Sequence, residues 1–179
     1  MGADAVIGGH THCPQPYELY NGKPIVYSMG NFLFQNVNRP NPSDSWYYGY
    51  ITVLDVSNTI KLQIIPYKFD KAATKITVFQ DEDKEKMTKY IDNLCKILKD
   101  KEKLSNYFKG WAWNHYWWVP RLPSENDKSD YNAAGNYNLV SCESHFSQIK
   151  EIFRILFNEE TALAEKYAVM IGKLQEMPV

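Results

Sequence analysis

The sequence predicts an α/β fold. Three observations carry that expectation. Short apolar runs, broken by turn residues, fill the first eighty positions. Runs with helical spacing fill most of the remainder. The period changes once, near Phe79, so strands precede helices instead of alternating with them. The expected division is a strand-rich region over residues 1–80 and a helical tail over 81–179, the tail holding an aromatic-rich connecting segment.

Ala5 to Ile7 is a short apolar run ended by Gly8-Gly9, and reads as a first strand. Tyr17 to Tyr20 and Pro24 to Tyr27 flank Asn21-Gly22, a strong hairpin signal. Gln35 to Ser45 is rich in Asn and Pro and reads as a loop. Tyr48 to Val56 and Ile60 to Tyr67 flank Ser57-Asn58-Thr59 and form a second predicted hairpin. In its second arm Ile60, Leu62 and Ile64 alternate with Lys61 and Gln63, as in a half-buried strand. Ile76 to Phe79 adds an edge strand.

Met87, Tyr90, Ile91, Leu94 and Leu98 then share one helical face, with Asp81 the expected cap. Phe146, Ile149, Ile152, Phe153, Leu156 and Phe157 predict a second helix capped by Ser141. Leu163, Tyr167, Ile171 and Leu174 predict a third, with Asn158 before it and Glu159 and Glu160 in its first turn.

Composition narrows the function classes. The chain has 179 residues, 44% hydrophobic and 23% charged, as in a globular domain. A net charge of −1 argues against a nucleic-acid binder driven by electrostatics. No apolar run approaches the roughly 18 residues of a membrane helix, and no signal peptide is expected at Met1. The three cysteines are far apart and define no disulfide framework.

Two of the four histidines stand in Gly9-His10-Thr11-His12, directly after the first predicted strand. Residues i and i+2 of an extended chain face one side, and neutral imidazole is a common metal ligand. Two such groups serve one ion, or one each of a pair about 3.5–4 Å apart. The competing reading is a solvated polar turn.

Gly9-His10-Thr11-His12 resembles the last metal-binding signature, Gly-His-x-His, of the calcineurin-like metallophosphoesterases. The flanking residues resemble one branch, the bacterial capsule-synthesis proteins of the CapA, or poly-γ-glutamate synthesis, type. They are Gly2-Ala3-Asp4, Gln15-Pro16, Glu18, Gly22 and Tyr27-Ser28-Met29-Gly30-Asn31-Phe32. The hairpin up to Pro66 also fits that branch, and Cys142 to His145 resembles an element near its C-terminus. Gly9 departs towards the nucleotidase-like form.

The resemblance implies the C-terminal half of a metallophosphoesterase-type β-sandwich, followed by the helical tail. It implies that His10 serves one metal and His12 the other, with a catalytic part for His10 in stabilising charge. The ions implied are Mn, Zn, Fe or Mg. The family's first half supplies an Asp, a bridging Asp and an Asn, yet no Asp-x-His, Gly-Asp-x-x or Gly-Asn-His signature exists in these residues. The expectation is therefore a C-terminal fragment that is inactive alone. Its partners would be the missing N-terminal half or a second copy of itself, with an anionic polymer as a further partner and no nucleic acid. The parent protein is expected at the membrane with an extracytoplasmic domain. The rivals are a noncatalytic module of a surface-polymer assembly and a nucleotidase-like phosphatase.

Other residues carry weaker expectations. Glu18 either orients a histidine or lies on a solvated strand face. Asn31 either lines the cleft or serves a turn. Tyr27 and Phe32 are expected in the core. Cys142, Glu143 and His145 suit packing and a helix N-terminus better than a second metal site. Trp111, Trp113, Trp117 and Trp118 either cover the core or form a platform for sugar or polymer. Cys13 carries no signal that sets its reactivity.

Overall fold

The computed structural model describes residues 2–35, 41, 43–116, 134, 137–138 and 140–179. The chain divides into two compact units, Met1–Asp100 with Gln175–Val179, and Lys101–Leu174. The mixed α/β content predicted from the sequence is present, as two small sheets followed by helices.

The first sheet holds β1 (Val6–Ile7), β2 (Tyr17–Tyr20) and β3 (Lys23–Val26), in the order β1-β3-β2. β1 runs parallel to β3, and β2 antiparallel to it. The β2–β3 turn falls at Asn21 and Gly22, whose φ angles are 50° and 76°. This is the paired positive-φ geometry that suits a two-residue hairpin. Among the described residues β1 has no strand on its other side, and its side chains stay open to solvent: Val6 is 48% exposed and Ile7 40%.

The second sheet is antiparallel, in the order β4 (Tyr48–Val56), β5 (Ile60–Phe69) and β6 (Ile76–Val78). The sheets meet where Tyr50 N–H donates to Met29 O at 3.0 Å and Gly30 bridges to Gly49. Helix α1 (Asp81–Lys99) closes the core of this unit. Ile91 packs with Val26 and Tyr50, and Met87 with Trp46, Tyr48, Tyr67, Phe79 and Met177. Burial pushes the phenols of Tyr50 and Tyr90 well above their ordinary range, and that of Tyr67 up to about 12. Four of the 13 tyrosines, Tyr47, Tyr48, Tyr50 and Tyr67, are buried in this core.

The second unit is helical: α2 (Lys101–Trp113), α3 (Glu143–Phe157) and α4 (Thr161–Gln175), the last ending at the unit boundary. Helix α2 is absent from the sequence-based expectation. Its apolar spacing, Leu104, Tyr107, Phe108 and Trp111, merges into the tryptophan-rich stretch and disguises it. Trp111 and Trp113 close α2, whereas Trp117 and Trp118 lie outside the described residues.

Several boundaries and faces differ from expectation. Gln80, not Asp81, caps α1; Asp81 opens the helix itself, and with Glu82 and Asp83 makes its first turn acidic. That turn satisfies the helix dipole without a side-chain cap. Cys142, not Ser141, caps α3. Asn158 terminates α3 instead of opening α4, so Glu159 and Glu160 precede the last helix. The face α3 buries is Gln148, Ile149, Ile152 and Ile155, while Phe146, Phe153, Leu156 and Phe157 are exposed.

A candidate metal-donor loop

β1 leads directly into the His-x-His loop, which is pinned at both ends. At its start Gly8 N–H donates to Val26 O at 2.8 Å, and Gly8 O accepts from Met29 N–H at 3.2 Å. At its end Gln15 N–H donates to Ser28 O at 2.9 Å, and the Tyr50 hydroxyl donates to Gln15 O at 2.7 Å. The intervening residues are held against the segment that follows β3.

His12 lies in that loop with φ 60°, the left-handed region that non-glycine residues seldom occupy. Its ring Nδ1 is 2.7 Å from Asn31 Oδ1. The ring stacks on Trp46, with centroids 4.8 Å apart and planes 23° apart, and Phe34 tilts against it at 5.0 Å. Trp46 is fixed in turn, its indole N–H donating to Phe34 O at 2.7 Å. Imidazole plane, edge and backbone are all constrained.

Asn31 is the hub of these contacts. Its amide nitrogen donates to His12 O at 3.2 Å and to Trp46 O at 3.0 Å, and its own carbonyl accepts from the Tyr67 hydroxyl at 2.9 Å. It reaches this place through Gly30, whose φ of 82° is costly for any other residue. A Cβ on Gly30 would lie 2.5 Å from Tyr48 O.

His10 is exposed. Glu18 lies on β2, where its carboxylate accepts from the Tyr27 hydroxyl at 2.6 Å; the hydrogen bond to an imidazole is made by Asn31. That carboxylate, with burial second, holds the Tyr27 phenol above its ordinary range. Tyr27 and Phe32, expected in the core, are both exposed. Tyr27 turns outward to reach Glu18, and Phe32 meets Tyr67 edge-on at 5.9 Å from the surface side. Cys142 bonds to Ser144 at 3.2 Å, and hydrogen bonds from Ser144 and from the His145 backbone lower its thiol pKa.

Sequence reasoning missed Phe34, Trp46 and Tyr67 as neighbours of the loop. Nothing local marks them, because they lie 22 to 55 positions beyond His12 along the chain.

Two neutral imidazoles are suitable donors for a divalent ion, and they are an incomplete set. Structural zinc sites use about four protein ligands and catalytic ones about three. Among the described residues no three His, Cys, Asp or Glu side chains group to hold a metal. None of the described helices is long and apolar enough to cross a membrane.

The loop lies in a stretch of sequence that is similar to known proteins. Residues 1–36, which contain His10, His12, Glu18 and Asn31, match the family described as "Bacterial capsule synthesis protein PGA_cap". Among particular relatives, the "PGA biosynthesis protein CapA" of Bacillus subtilis (strain 168) is 54% identical over 33 residues, 18% of this chain and 9% of that protein. Two proteins of Sinorhizobium fredii (strain NBRC 101917 / NGR234), y4sH and y4uA, are each 38% identical over 45 residues, 25% of this chain and 10% of theirs. The similarity to these relatives spans about a tenth of their length, and the family match covers the first sheet and the His-x-His loop.

Proposed function

We propose that the chain is part of a protein of bacterial capsule or poly-γ-glutamate synthesis or export, in which the Gly9–Cys13 loop donates His10 and His12 to divalent metal. One observation carries this reading. The segment that matches the capsule-synthesis family is the segment in which His12 is held on its edge by Asn31 and on its face by Trp46. A merely solvated turn needs no such support.

In this reading the remaining donors come from another part of the parent protein or from a second copy of the chain. The open side of β1, with Val6 and Ile7 exposed, is the natural place for either to pair. A divalent ion, whether Mn, Zn, Fe or Mg, supplies Lewis-acid activation of a phosphoester. The chain's own part is to present two imidazoles, His12 fixed and His10 exposed to the cleft or to substrate. The parent's setting outside the membrane and an anionic polymer as ligand belong to the same proposal.

The incomplete donor set also favours a second reading, a noncatalytic polymer- or partner-binding module. Two measurements separate them. In the producing bacterium, His12→Ala is expected to abolish surface polymer; unchanged polymer would overturn the metal-donor role. In vitro, the chain alone is expected not to hydrolyse p-nitrophenyl phosphate with Mn²⁺ or Zn²⁺. Metal-dependent turnover that disappears in His12→Ala would show instead that the donor set is complete.

A further inference from the structure

The geometry points to Asn31 as a positioning residue that holds His12 in one tautomer, with the proton on Nδ1 and the lone pair on Nε2. The purpose of that arrangement rests on the metal-donor reading; the arrangement itself does not.

A side-chain amide has one acceptor oxygen and one nitrogen that only donates. Which atom is which follows here from the partners. One end of the Asn31 amide faces two backbone carbonyls, those of His12 at 3.2 Å and Trp46 at 3.0 Å. Carbonyls only accept, so that end is the NH₂. The other end is therefore the oxygen, and it faces the His12 ring at 2.7 Å. An oxygen cannot donate, so His12 Nδ1 carries a hydrogen. In the neutral ring Nε2 is then the free base and the atom that binds an ion.

The alternative tautomer sets two lone pairs against each other at 2.7 Å. Asn31 is only 6% exposed, so water does not relieve that clash. Leaving such a buried acceptor unmatched disfavours the alternative by on the order of tenfold or more. Turning the ring over offers no escape, because it would place a C–H against Asn31. Trp46 and Phe34 also confine the ring faces, at 4.8 Å and 5.0 Å.

Asparagine is needed, not just any acceptor. An aspartate would also accept from Nδ1, but it has no N–H for the two carbonyls and would repel both. The carbonyl of His12 is part of the reason that residue keeps its φ of 60°. One amide thus fixes both the ring and the main chain of His12.

The test is ¹⁵N-histidine NMR of the full chain near pH 8, where an ordinary imidazole, with pKa about 6.5, is neutral. Long-range ¹H–¹⁵N correlations read the tautomer of each histidine directly. In the wild type His12 is expected as the Nδ1–H form, with exposed His10 as a control that shows mixed tautomers. In Asn31→Ala the His12 pattern should revert to the mixed form, with the backbone amide signals of β4 and β5 in the same unit unchanged as evidence of folding. A wild-type His12 protonated on Nε2 overturns the inference without any variant. So does an Asn31→Ala protein that keeps pure Nδ1–H. Titration with Mn²⁺ or Zn²⁺ alone then tests purpose, with affinity expected to fall about 10–100-fold in Asn31→Ala. Two imidazoles alone hold an ion weakly, so the decisive reading is the ratio: an Asn31→Ala protein that binds Zn²⁺ as well as the wild type would overturn the purpose and leave the tautomer assignment standing.

Discussion

The two units of this chain differ in how most side chains tie distant segments together. In the first, side chains bond to the main chain of distant segments: Asn31 to His12 and Trp46, Trp46 to Phe34, Tyr50 to Gln15, Tyr67 to Asn31. In the second, charged side chains bond to one another. Lys109 reaches Glu160 at 3.0 Å, and Arg154 reaches both Glu151 at 2.6 Å and Glu160 at 3.1 Å. Helices satisfy their own backbone, so their side chains are left to pair among themselves. An irregular loop has unsatisfied backbone groups, and each bond from a side chain fixes its path.

The sharpest way to break this contrast is to remove one large apolar contact from each unit. Trp46→Ala is expected to cost about 3–5 kcal/mol in denaturant unfolding, and to speed amide exchange in residues 9–13. Ile152→Ala, fully buried in α3, should cost about 2–5 kcal/mol and leave exchange in that loop unchanged. If Ile152→Ala also loosens the loop, the contrast is wrong.

Glycine substitutions test close approach in both units. Gly30→Ala forces a left-handed residue against Tyr48 O, and Gly110→Ala brings a Cβ to 2.4 Å from the Tyr167 backbone. Each should cost about 1–3 kcal/mol by urea titration. Near-wild-type midpoints would show that the neighbouring segments give way freely.

Titration tests one group of contacts in each unit. The buried phenols of the first have raised pKa values, so their contribution is intact below the ordinary tyrosine value of 10.0. It is lost as pH climbs from there towards about 12, where Tyr67 ionises. Ultraviolet titration at alkaline pH should therefore show phenolate appearing together with loss of β structure. Glu160 in the second unit is shifted down, chiefly by its hydrogen bond from Lys109. Its contribution is present above the ordinary value of 4.5 and fades as pH falls through the lower folded one. Acid should thus weaken the helices, and Glu160→Gln should flatten that slope. The smallest effect is expected from Lys86→Ala, whose exposed pair with Glu82 is screened by solvent. A urea midpoint displaced as far as that of Gly30→Ala would mean that this surface pair matters as much as the close approach at Gly30.

Legibility in the sequence follows the same contrast. The strands were legible because Asn21-Gly22 and the alternation of Ile60, Leu62 and Ile64 are local signals. Helix α1 was legible from its spacing, and the His-x-His loop from its glycines and histidines. The bond between Asn31 and His12 was not, because a left-handed His12 and a returning chain are both needed to form it. Helix α2 was hidden by aromatic residues that suit several environments. The face of α3 is not legible, because Phe146, Phe153 and Phe157 fall at helical spacing beside the isoleucines and spacing alone does not say which stripe faces the core.

Residues 175–179 return to the first unit after the helices. There Met177 is buried, its N–H donates to Ser43 O at 3.2 Å, and the Tyr48 hydroxyl donates to Val179 O. The helical unit is therefore an excursion within a chain that leaves the first unit and comes back to it. Tyr48 and Val179 stand 131 positions apart, and closing a loop of that length is entropically slow. During synthesis the sheets and α1 leave the ribosome well before the residues that complete their core. In that interval the partly filled cluster around Trp46 and Tyr48 waits on α2, α3 and α4. A ribosome pause inside the helices would hold the nascent first unit in its least finished state.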